Sequence, residues 1–473
     1  MSLIVNLTKS DVAHSVGMGL RRLLPDRLET VVLLLLAAGI AWQLFIEPVV
    51  GMANNADFAR LIWPAGIGYK SSADYWETVF RFSETKFVFV APKPFRYLTS
   101  ERPILGVALL LNHLVSKDGT FNLQVLGFCN LALYLGALAI FLRAFRSKRL
   151  ATRILVAASA LVMCADVKWI AYFNSFYSES ASLIFLFSTL GLALLCTDPG
   201  GERRVAWLGW LAYMTSAFLF WTAKSQNIAF APCLVAGSWY FFPNTGRTLV
   251  RLAGAVAIPL CIVWALASGA YADTSAENTK VVMTEEILPN SPTPDADRKE
   301  LGAENVTPSL ARIARFYLHH PVRWWQMAQR RSKEAFGYIP YGNFSKASGL
   351  GPGAQSHSFN VWSEFKKARY PKNLTLLLCL FLAFCVLAGM KARWLDEDRA
   401  TRMRTLVGPV LAVGCALEFM VSVTFEANGT AKHLFIFNVA VDLCLVLAML
   451  SLGEACARLW RRKSATPPAQ AAQ

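Results

Sequence analysis

The sequence has little charge for its length. Only 16% of its 473 residues are Asp, Glu, Lys or Arg, whereas 55% are hydrophobic. Soluble domains carry about 25% charged residues, because they must cover their surface with polar groups. The shortage therefore excludes an ordinary soluble domain and indicates a polytopic membrane protein whose surface is largely covered by lipid.

The sequence also lacks the common motifs of soluble catalysis. It contains no Gly-rich phosphate loop, no zinc-ligand array and no nucleophile elbow. Its 10 cysteines lie mostly inside apolar runs without metal-ligand spacing, which indicates small core residues and no disulfide framework. Lys and Arg outnumber acids 47 to 31, but they are scattered over short loops. We therefore expect no nucleic-acid partner.

Long apolar runs are abundant, and a run of about 20 residues crosses a bilayer as one helix. We predict an all-α polytopic membrane protein with about ten transmembrane helices. The predicted spans are residues 29–50, 122–143, 153–173, 178–197, 205–223, 228–243, 249–270, 373–391, 404–425 and 434–457.

The basic residues predict the orientation of these spans. The arm 1–28, the short loops near residues 143–153, 201–204, 244–251 and 391–404, and the tail 458–473 are rich in Lys and Arg, and all fall on one side. The positive-inside rule makes that side cytoplasmic, with both termini there. Two larger loops then lie outside. The first, residues 51–121, joins the first two helices of the group of helices 1–7 (29–270). The second, residues 271–372, precedes helices 8–10 (373–457).

Both outer loops contain segments that we expect to lie in the membrane interface. The stretch "RPILGVALLLNHLV" (102–115) is too short to span comfortably and predicts an interfacial or re-entrant helix. The stretch "PSLARIARFYLHHPVRWWQMAQRRSKEAF" (308–336) is basic, aromatic and helical in pattern, and predicts a helix along the membrane surface.

Charged residues gather where the predicted spans meet the outer face. Asp57 follows the first span, Glu179 begins the fourth, Lys224 ends the fifth, and Lys432 with His433 opens the last. Charges at membrane depth are costly and persist mainly when they pair or line a polar cavity. A cavity with acids and cations suits a phosphate head group on an apolar tail, with the cations on the phosphate and a carboxylate as general base.

Each of these residues also has a purely structural interpretation. Asp57 is equally consistent with the N-cap of a helix that starts at Phe58. Glu179 suits the first turn of a helix, and Lys224 or Lys432 alone suits a lysine that snorkels at the end of a span.

Several short motifs resemble the GT-C superfamily of membrane-embedded glycosyltransferases, in particular a bacterial branch of hexosyltransferase-like or glycan-biosynthesis proteins. The motifs are "NNADFAR" (54–60), "YFNSFYSESASL" (172–183), "KSQN" (224–227), "YLHHPVRWW" (317–325) and "FEANGTAKHLFIFNVAVD" (425–442). The resemblance implies a location in the bacterial inner membrane, a polyprenyl-phosphate sugar as donor, and transfer to a glycan, lipid or protein acceptor on the periplasmic side.

Carried over to this sequence, the resemblance implies that Asp57 is the catalytic base. Where the superfamily often has a second acid in the first loop, this sequence has Ala56 beside Asp57. A divalent cation is therefore compatible with the resemblance but not indicated by these residues, and no other cofactor is indicated. The expected substrate-binding residues are Asn54, Asn55, Arg60, Tyr177, Glu179, Lys224, Gln226, Glu426, Asn428, Lys432 and His433.

Two other functions are compatible with the sequence. A transporter or flippase of lipid-linked sugars would place charges at mid-span, where only Glu418 and Asp442 are candidates. A ligase or polymerase of the O-antigen type would rely on arginines of the large outer loop. The available ones are Arg312, Arg315, Arg323, Arg330 and Arg331.

Overall fold

The structure is a computed structural model, and most of the chain is described in it. The described residues are 9–95, 97–197, 206–242, 256, 257, 260, 263, 264, 273–303, 307–337, 339, 341–396, 398–426 and 430–465.

The described chain is mostly helical, as predicted. Its first half contains α1 (Lys9–Phe45), α2 (Ala59–Ile62), α3 (Ser72–Thr78), α4 (Glu101–Val115), α5 (Leu123–Arg143), α6 (Leu150–Met163), α7 (Val167–Ile170), α8 (Glu179–Cys196), α9 (Ala206–Ala223) and α10 (Ala231–Phe241). The rest contains α11 (Asp273–Val281), α12 (Pro294–Glu300), α13 (Leu310–His319), α14 (Pro321–Arg331), α15 (Val361–Arg369), α16 (Leu374–Trp394), α17 (Arg399–Phe425), α18 (Thr430–His433) and α19 (Phe435–Ala465).

Among the described residues, 6 helices are long and apolar enough to cross a membrane. They are Arg27–Phe45, Leu123–Arg143, Glu179–Cys196, Leu374–Trp394, Arg399–Phe425 and Phe435–Trp460. They coincide with the first, second, fourth, eighth, ninth and tenth predicted spans. Together they support a multi-pass membrane protein, whereas the full number of ten spans stays a prediction.

The remaining predicted spans differ in the structure. The third is broken into two parts: α6 and the helical turns at Val167–Asn174 are bent by 63° relative to each other. Asp166 at this break accepts a hydrogen bond from the Lys168 N–H at 2.9 Å and thereby starts α7. The fifth corresponds to α9, and the sixth is reduced to the 11 residues of α10 after a 3₁₀ turn at Ser225–Phe230. The seventh lies largely outside the described residues.

The first outer loop contains a small antiparallel sheet that an all-α fold did not predict. Its strands are β1 (Ile67–Gly68), β2 (Lys86–Phe89) and β3 (Thr120–Asn122), in the order β1-β2-β3. Gly68 pairs with Val88, which in turn pairs with Thr120. The sheet ties both ends of the loop together, and the stretch predicted to be interfacial or re-entrant forms α4 between its strands.

The second outer loop is helical where a surface helix was predicted, but it forms two helices, α13 and α14, joined at His320. The loop is fastened to the bundle by α15. Lys366 on α15 pairs with Asp442 on α19, with 2.5 Å between Nζ and Oδ2. Ser363 on the same helix donates from its N–H and Oγ to Asp166 at 2.9 and 2.6 Å.

The helix α8 lies at the centre of the bundle, between α5 and α9. Its small and apolar side chains are nearly all buried, so the helix is apolar all round rather than amphipathic. Because α8 begins at Glu179, this packing places one charged residue near the ends of α9 and α17 and the start of α19. That point is the outer end of the bundle under the predicted orientation.

Candidate active site

Asp57 lies in a tightly held loop after α1. Gly51 passes so close to the backbone at Asn174 that an added Cβ would lie 2.7 Å from the carbonyl oxygen of Asn174. Ala56 has a φ of +80°, a region that costs non-glycine residues about 1 kcal/mol or more. Helix α2 begins at Ala59, with Phe58 as its N-cap and no side-chain cap bond. The N-cap interpretation of Asp57 is therefore wrong.

The Asp57 carboxylate pairs with two cations. Oδ1 lies 2.9 Å from Nη2 of Arg60 on α2, and Oδ2 contacts Nζ of Lys432 on α18. The Asp57 side chain is 22% exposed and that of Lys432 only 3%. Lys432 also lies over the ring of Tyr177, 4.3 Å from its centroid. The carboxylate thus faces the cleft while its strongest partner is buried.

These cations determine the protonation state of Asp57. Burial alone would raise the pKa of the carboxyl, but Lys432 and Arg60 outweigh burial and hold the pKa well below its usual range. Burial lowers the pKa of Lys432 and the pKa of His433, the latter well below its usual value. Asp57 is therefore ionised and His433 neutral at pH 7.

A second ion pair lies beside the first. Lys224 follows α9, and its Nζ is 2.8 Å from Oε1 of Glu179 at the start of α8. The side chains are 8% and 2% exposed. An ion pair this deeply buried gives back much of its attraction as desolvation, so it adds little net stability. The Glu179–Lys224 pair instead holds a carboxylate and an ammonium group at the wall of the cleft.

Tyr177 connects the Asp57 loop to the start of α8. Its hydroxyl donates to the Ala53 carbonyl at 2.9 Å and contacts the amide oxygen of Asn55 at 2.9 Å. The amide nitrogen of Asn55 in turn donates to the hydroxyl of Tyr341 at 3.0 Å. Asn55 and Tyr177 therefore position the loop through these hydrogen bonds.

Gln226, His433 and Glu426 form a third polar group next to these pairs. Nδ1 of His433 lies 2.7 Å from Nε2 of Gln226, and its Nε2 lies 3.4 Å from Oε2 of Glu426. Asn278 donates to the same carboxylate oxygen at 2.8 Å. Burial raises the pKa of Glu426, which follows α17, to about 7. The group can hold or release one proton near neutral pH.

These groups line two neighbouring spaces. A narrow cleft of about 280 Å³ is bounded by both ion pairs, Arg60 and Tyr97. A larger cavity of about 1270 Å³ lies on the other side of the Asp57 loop, and Asn54 and Ala56 form part of its wall. Its remaining walls come from the first outer loop and include four aromatic rings, those of Trp63, Tyr69, Tyr75 and Trp76.

The chain matches a known protein family over most of its length. Residues 20–307 and 304–471 match the family described as the YfdI N-terminal transmembrane domain. The chain belongs to this family. No curated protein and no solved structure matches the chain. Membership of the YfdI transmembrane family agrees with the six apolar helices, so the chain is a multi-pass membrane protein.

In this member of the YfdI transmembrane family, the predicted site residues meet at one end of the bundle. Six of them line the narrow cleft: Asp57, Arg60, Tyr177, Glu179, Lys224 and Lys432. Asn54 faces the larger cavity, Asn55 supports the loop, and Gln226, Glu426 and His433 form the adjacent group. Asn428 lies outside the described residues. The roles of all these residues stay predictions.

Two residues, one lining the cleft and one behind the start of α8, were missed in the sequence. Tyr97 lines the cleft, with the Arg60 guanidinium 5.3 Å from the centroid of its ring. Glu101 is fully buried and accepts from the Ala181 N–H and the Ser180 hydroxyl at 3.0 Å each, in the first turn of α8. No sequence signal identifies these contacts, because Glu101 opens a short helix of its own and resembles an ordinary first-turn acid.

The Glu101 carboxyl predicts a pH dependence of stability. Burial raises the pKa of this carboxyl in the folded state to about 7, from the ordinary value of 4.5. Between pH 4.5 and pH 7 the folded state therefore keeps a proton that the unfolded state releases. Its stabilising contribution is full below about pH 4.5 and is lost as the pH rises through 7. We expect this group to lower the free energy of unfolding by up to about 3 kcal/mol as the pH rises from 5 to 8.

Thermal unfolding of the purified protein in detergent at pH 5 and pH 8 measures this contribution. Glu101→Gln should reduce the loss of stability between the two pH values, whereas Glu77→Gln, at an exposed acid of the same loop, should leave it unchanged. Equal pH dependence in the wild type and in Glu101→Gln would contradict the prediction.

One group elsewhere has the ligand types of a metal site. Asp297, Glu300 and His320 in the second outer loop bring their ligand atoms within 4.8 Å of one another. However, Asp297 is held by Arg323, with 2.5 Å between Oδ2 and Nη1, and Glu300 pairs with His320 at 2.9 Å. These contacts satisfy the three groups without an ion, and they join α12 to α13 and α14.

Proposed function

We propose that the protein is a membrane glycosyltransferase of the GT-C type in the bacterial inner membrane. It would transfer a sugar from a polyprenyl-phosphate donor to a hydroxyl of a glycan, lipid or protein acceptor on the periplasmic side. One observation carries the proposal: the cleft combines the Asp57 carboxylate with the cations Arg60, Lys224 and Lys432. The name of the YfdI transmembrane family is compatible with such an enzyme and leaves its chemistry open.

The cations suit the phosphate of the donor. Arg60, Lys224 and Lys432 all reach the narrow cleft, and they face two carboxylates, those of Asp57 and Glu179. The excess positive charge favours an anionic ligand, and ammonium and guanidinium groups form short, strong hydrogen bonds to phosphate. Because the cleft lies at the ends of apolar helices, the polyprenyl chain of the donor would extend along the bundle into the bilayer. This arrangement requires no divalent cation.

Asp57 would act as the general base. The acceptor oxygen forms a bond to the anomeric carbon of the donor sugar while the bond from that carbon to the phosphate oxygen breaks. The acceptor proton moves to the Asp57 carboxylate, and the polyprenyl phosphate leaves with the bonding electron pair and the added negative charge. Lys224 and Lys432 would stabilise this charge as it develops.

The ion pair with Lys432 implies an exchange of partners during the reaction. While Lys432 and Arg60 hold Asp57, its low pKa makes it a weak base. A donor phosphate in the cleft would compete for Lys432 and so raise the pKa of Asp57 toward the range of an effective base. Donor binding would therefore precede deprotonation of the acceptor.

The acceptor would approach from the larger cavity. The cavity opens beside Asn54 and Ala56, directly before Asp57, and the strained backbone at Ala56 separates it from the narrow cleft. Strain of this kind concentrates at functional sites. The two spaces would thus hold donor and acceptor on opposite sides of the Asp57 loop.

Incorporation of label from radiolabelled polyprenyl-phosphate hexoses tests the proposal. Membranes containing the protein should form labelled product, and the label should appear in an outer-face glycan, lipid or protein. Membranes with the Asp57→Asn variant are the matched control. Absence of covalent product with every donor tried, in membranes whose protein is folded and inserted, would contradict the proposal.

Lys432→Gln should weaken donor binding. Loss of one charge-assisted hydrogen bond to phosphate costs about 1.5–3 kcal/mol, so we expect the KM for the donor to rise about 10- to 100-fold. The KM for the acceptor should change little. Lys93→Gln, at an exposed lysine in the wall of the larger cavity, is the control and should keep the donor KM. Equal donor KM values in the wild type and Lys432→Gln would remove Lys432 from the donor site.

The two alternatives have less support in the described residues. A carrier would need a mid-span charge that can change partners, but Asp442 is neutralised by Lys366, and Glu418 contacts Ser422 at 2.8 Å within its own helix. Uptake of lipid-linked sugar into sealed vesicles without covalent product would favour a carrier.

Most arginines expected for a ligase are structural. Arg323 pairs with Asp297, Arg330 pairs with Glu286, and Arg331 is buried and donates to the Val423 carbonyl at 3.1 Å. Arg312 donates to the Gly302 carbonyl at 3.0 Å. These side chains hold the second outer loop together and fasten it to α17.

A further inference from the structure

Tyr97 belongs to the segment that joins β2 to α4, and this segment contributes to the walls of both spaces at the candidate active site. Ala91 and Lys93, near its start, line the larger cavity. Tyr97, near its end, lines the narrow cleft and is only 6% exposed. An aromatic ring therefore faces the cations and carboxylates of the cleft from the first outer loop.

The ring of Tyr97 is held in place from several sides. Its hydroxyl interacts with the side chain of Ser178, which lies directly before α8. Its N–H donates to the Phe95 carbonyl at 3.0 Å, and Nη2 of Arg102 donates to the same carbonyl at 2.9 Å. Phe95 packs against Trp63, with 5.9 Å between the ring centroids. Because the ring is fixed, a cation that changes its distance to the ring must itself move.

The Arg60 guanidinium contacts both the Tyr97 ring and the Asp57 carboxylate. Its Cζ lies 5.3 Å from the ring centroid, and its Nη2 lies 2.9 Å from Oδ1 of Asp57. The face of an aromatic ring attracts a cation, and this attraction grows where water is excluded. The ring and the carboxylate therefore compete for the same guanidinium, and the ring attracts it without adding a charge to the cleft.

Other titratable groups face this pair from the surrounding elements. Lys432 on α18 contacts the second carboxylate oxygen of Asp57. The groups that act on Asp57, Arg60 or Lys432 from a greater distance are Tyr177, Glu179, Lys224, Tyr341, Glu426 and His433. Arg60 and Lys432 form the ion pairs with Asp57 among the described residues, so they chiefly determine how basic the carboxylate is.

An effective base requires that both cations loosen their hold on Asp57. Lys432 can transfer its contact to the phosphate of a bound donor. Arg60 must also give up part of its contact, because a carboxylate paired with a guanidinium stays a weak base. A guanidinium that lies over an aromatic ring keeps its N–H groups at its edge, where they can still donate to phosphate. The Tyr97 ring thus offers Arg60 a position that serves the donor and releases the base.

We propose that Tyr97 is a positioning residue for sugar transfer: its ring draws the Arg60 guanidinium away from Asp57 once the donor phosphate is bound. The carboxylate can then accept the proton of the acceptor hydroxyl. This inference rests on the proposed function, in which Asp57 is the general base. Arg60 changes only its non-covalent partners, and Tyr97 takes no part in the bonds that form and break.

The pH dependence of kcat tests the role of the ring. A cation–π contact in a site without bulk water changes the preference of a cation for one position about 5- to 30-fold. Tyr97→Leu should therefore lower kcat about 5- to 30-fold. Because Arg60 then stays on Asp57 and stabilises the ionised carboxylate, the acid limb of the kcat profile should move to lower pH by about one pH unit. Tyr97→Phe keeps the ring and should restore most of kcat and the position of the acid limb.

Arg60→Gln tests the same contact from the other side and does not depend on the folding of Tyr97→Leu. Loss of the guanidinium raises the pKa of Asp57, so the acid limb should move to higher pH. Adding Tyr97→Leu to Arg60→Gln should leave the acid limb where it is, because the ring acts through Arg60. Tyr240→Leu, at a 45% exposed tyrosine of α10 outside the cleft, is the matched control and should keep the wild-type kcat and profile.

The profiles are measured on membranes containing the full-length protein, with saturating radiolabelled polyprenyl-phosphate hexose. A lower kcat in Tyr97→Leu with the acid limb at its wild-type position would show that the ring only shapes the cleft, and would overturn the proposal. An equal loss in Tyr97→Phe would overturn it as well, because the hydroxyl would then be the important group. So would a wild-type acid limb in Arg60→Gln. Absence of labelled product from the wild type would instead overturn the proposed function, and this inference with it.

Discussion

Asp57→Asn is expected to reduce the rate of sugar transfer by about 10²- to 10⁴-fold while leaving the protein folded and inserted in the membrane. Asparagine has almost the same shape as aspartate but cannot accept the acceptor proton. The change also removes the negative charge that competes with the donor phosphate for Lys432 and Arg60. The dissociation constant for the donor should therefore stay the same or fall, even though turnover is lost.

This combination separates a general base from a residue that only binds the donor. Turnover is measured with a labelled donor at saturating concentration, and donor binding is measured directly on the purified protein. Asp74→Asn, at an acid of the same outer loop that lies away from the cleft, is the control and should keep normal turnover. Normal turnover in Asp57→Asn would exclude Asp57 as the base.

Glu179→Gln provides the decisive comparison. Glu179 is the other carboxylate of the cleft, but it is 2% exposed and occupied by Lys224. We expect it to position Lys224, so its loss should raise the KM for the donor more than it lowers kcat. Loss of turnover in Glu179→Gln together with normal turnover in Asp57→Asn would assign the base to Glu179.

Lys366→Met is expected to destabilise the protein by about 3–5 kcal/mol. Lys366 and Asp442 are 2% and 0% exposed, and Asp442 lies within a candidate span. Without the ammonium group, the carboxylate must be buried without a partner or accept a proton. Lys366 also contacts the amide oxygen of Asn438, so the same change leaves a second polar group without its donor.

Denaturant or thermal unfolding in detergent measures this loss. Lys367→Met, at the exposed neighbour of Lys366 on α15, should change stability by less than about 0.5 kcal/mol. The double variant Lys366→Met with Asp442→Leu should recover most of the loss, because it removes both charges at once. Unchanged stability in Lys366→Met alone would show that the pair does not anchor the second outer loop.

The class of protein could be predicted from the sequence, because membrane insertion depends on local properties. Twenty consecutive apolar residues must form a helix in lipid, whatever lies elsewhere in the chain. The six candidate spans and the polar turns at their ends follow from this rule. The stretch predicted as a surface helix is helical, in two parts that are separated at His320, and its position along the membrane surface stays a prediction.

The partners of these residues were decided by the tertiary structure. Lys432 lies 375 residues after Asp57, and the two meet only because α18 packs beside the loop after α1. The break after α6, the small sheet and the burial of Glu101 likewise depend on packing between distant segments. Apolar length and charge counts report how a segment partitions into lipid. They carry no information about which helices become neighbours, and it is the neighbours that determine whether an acid is a cap, an anchor or a base.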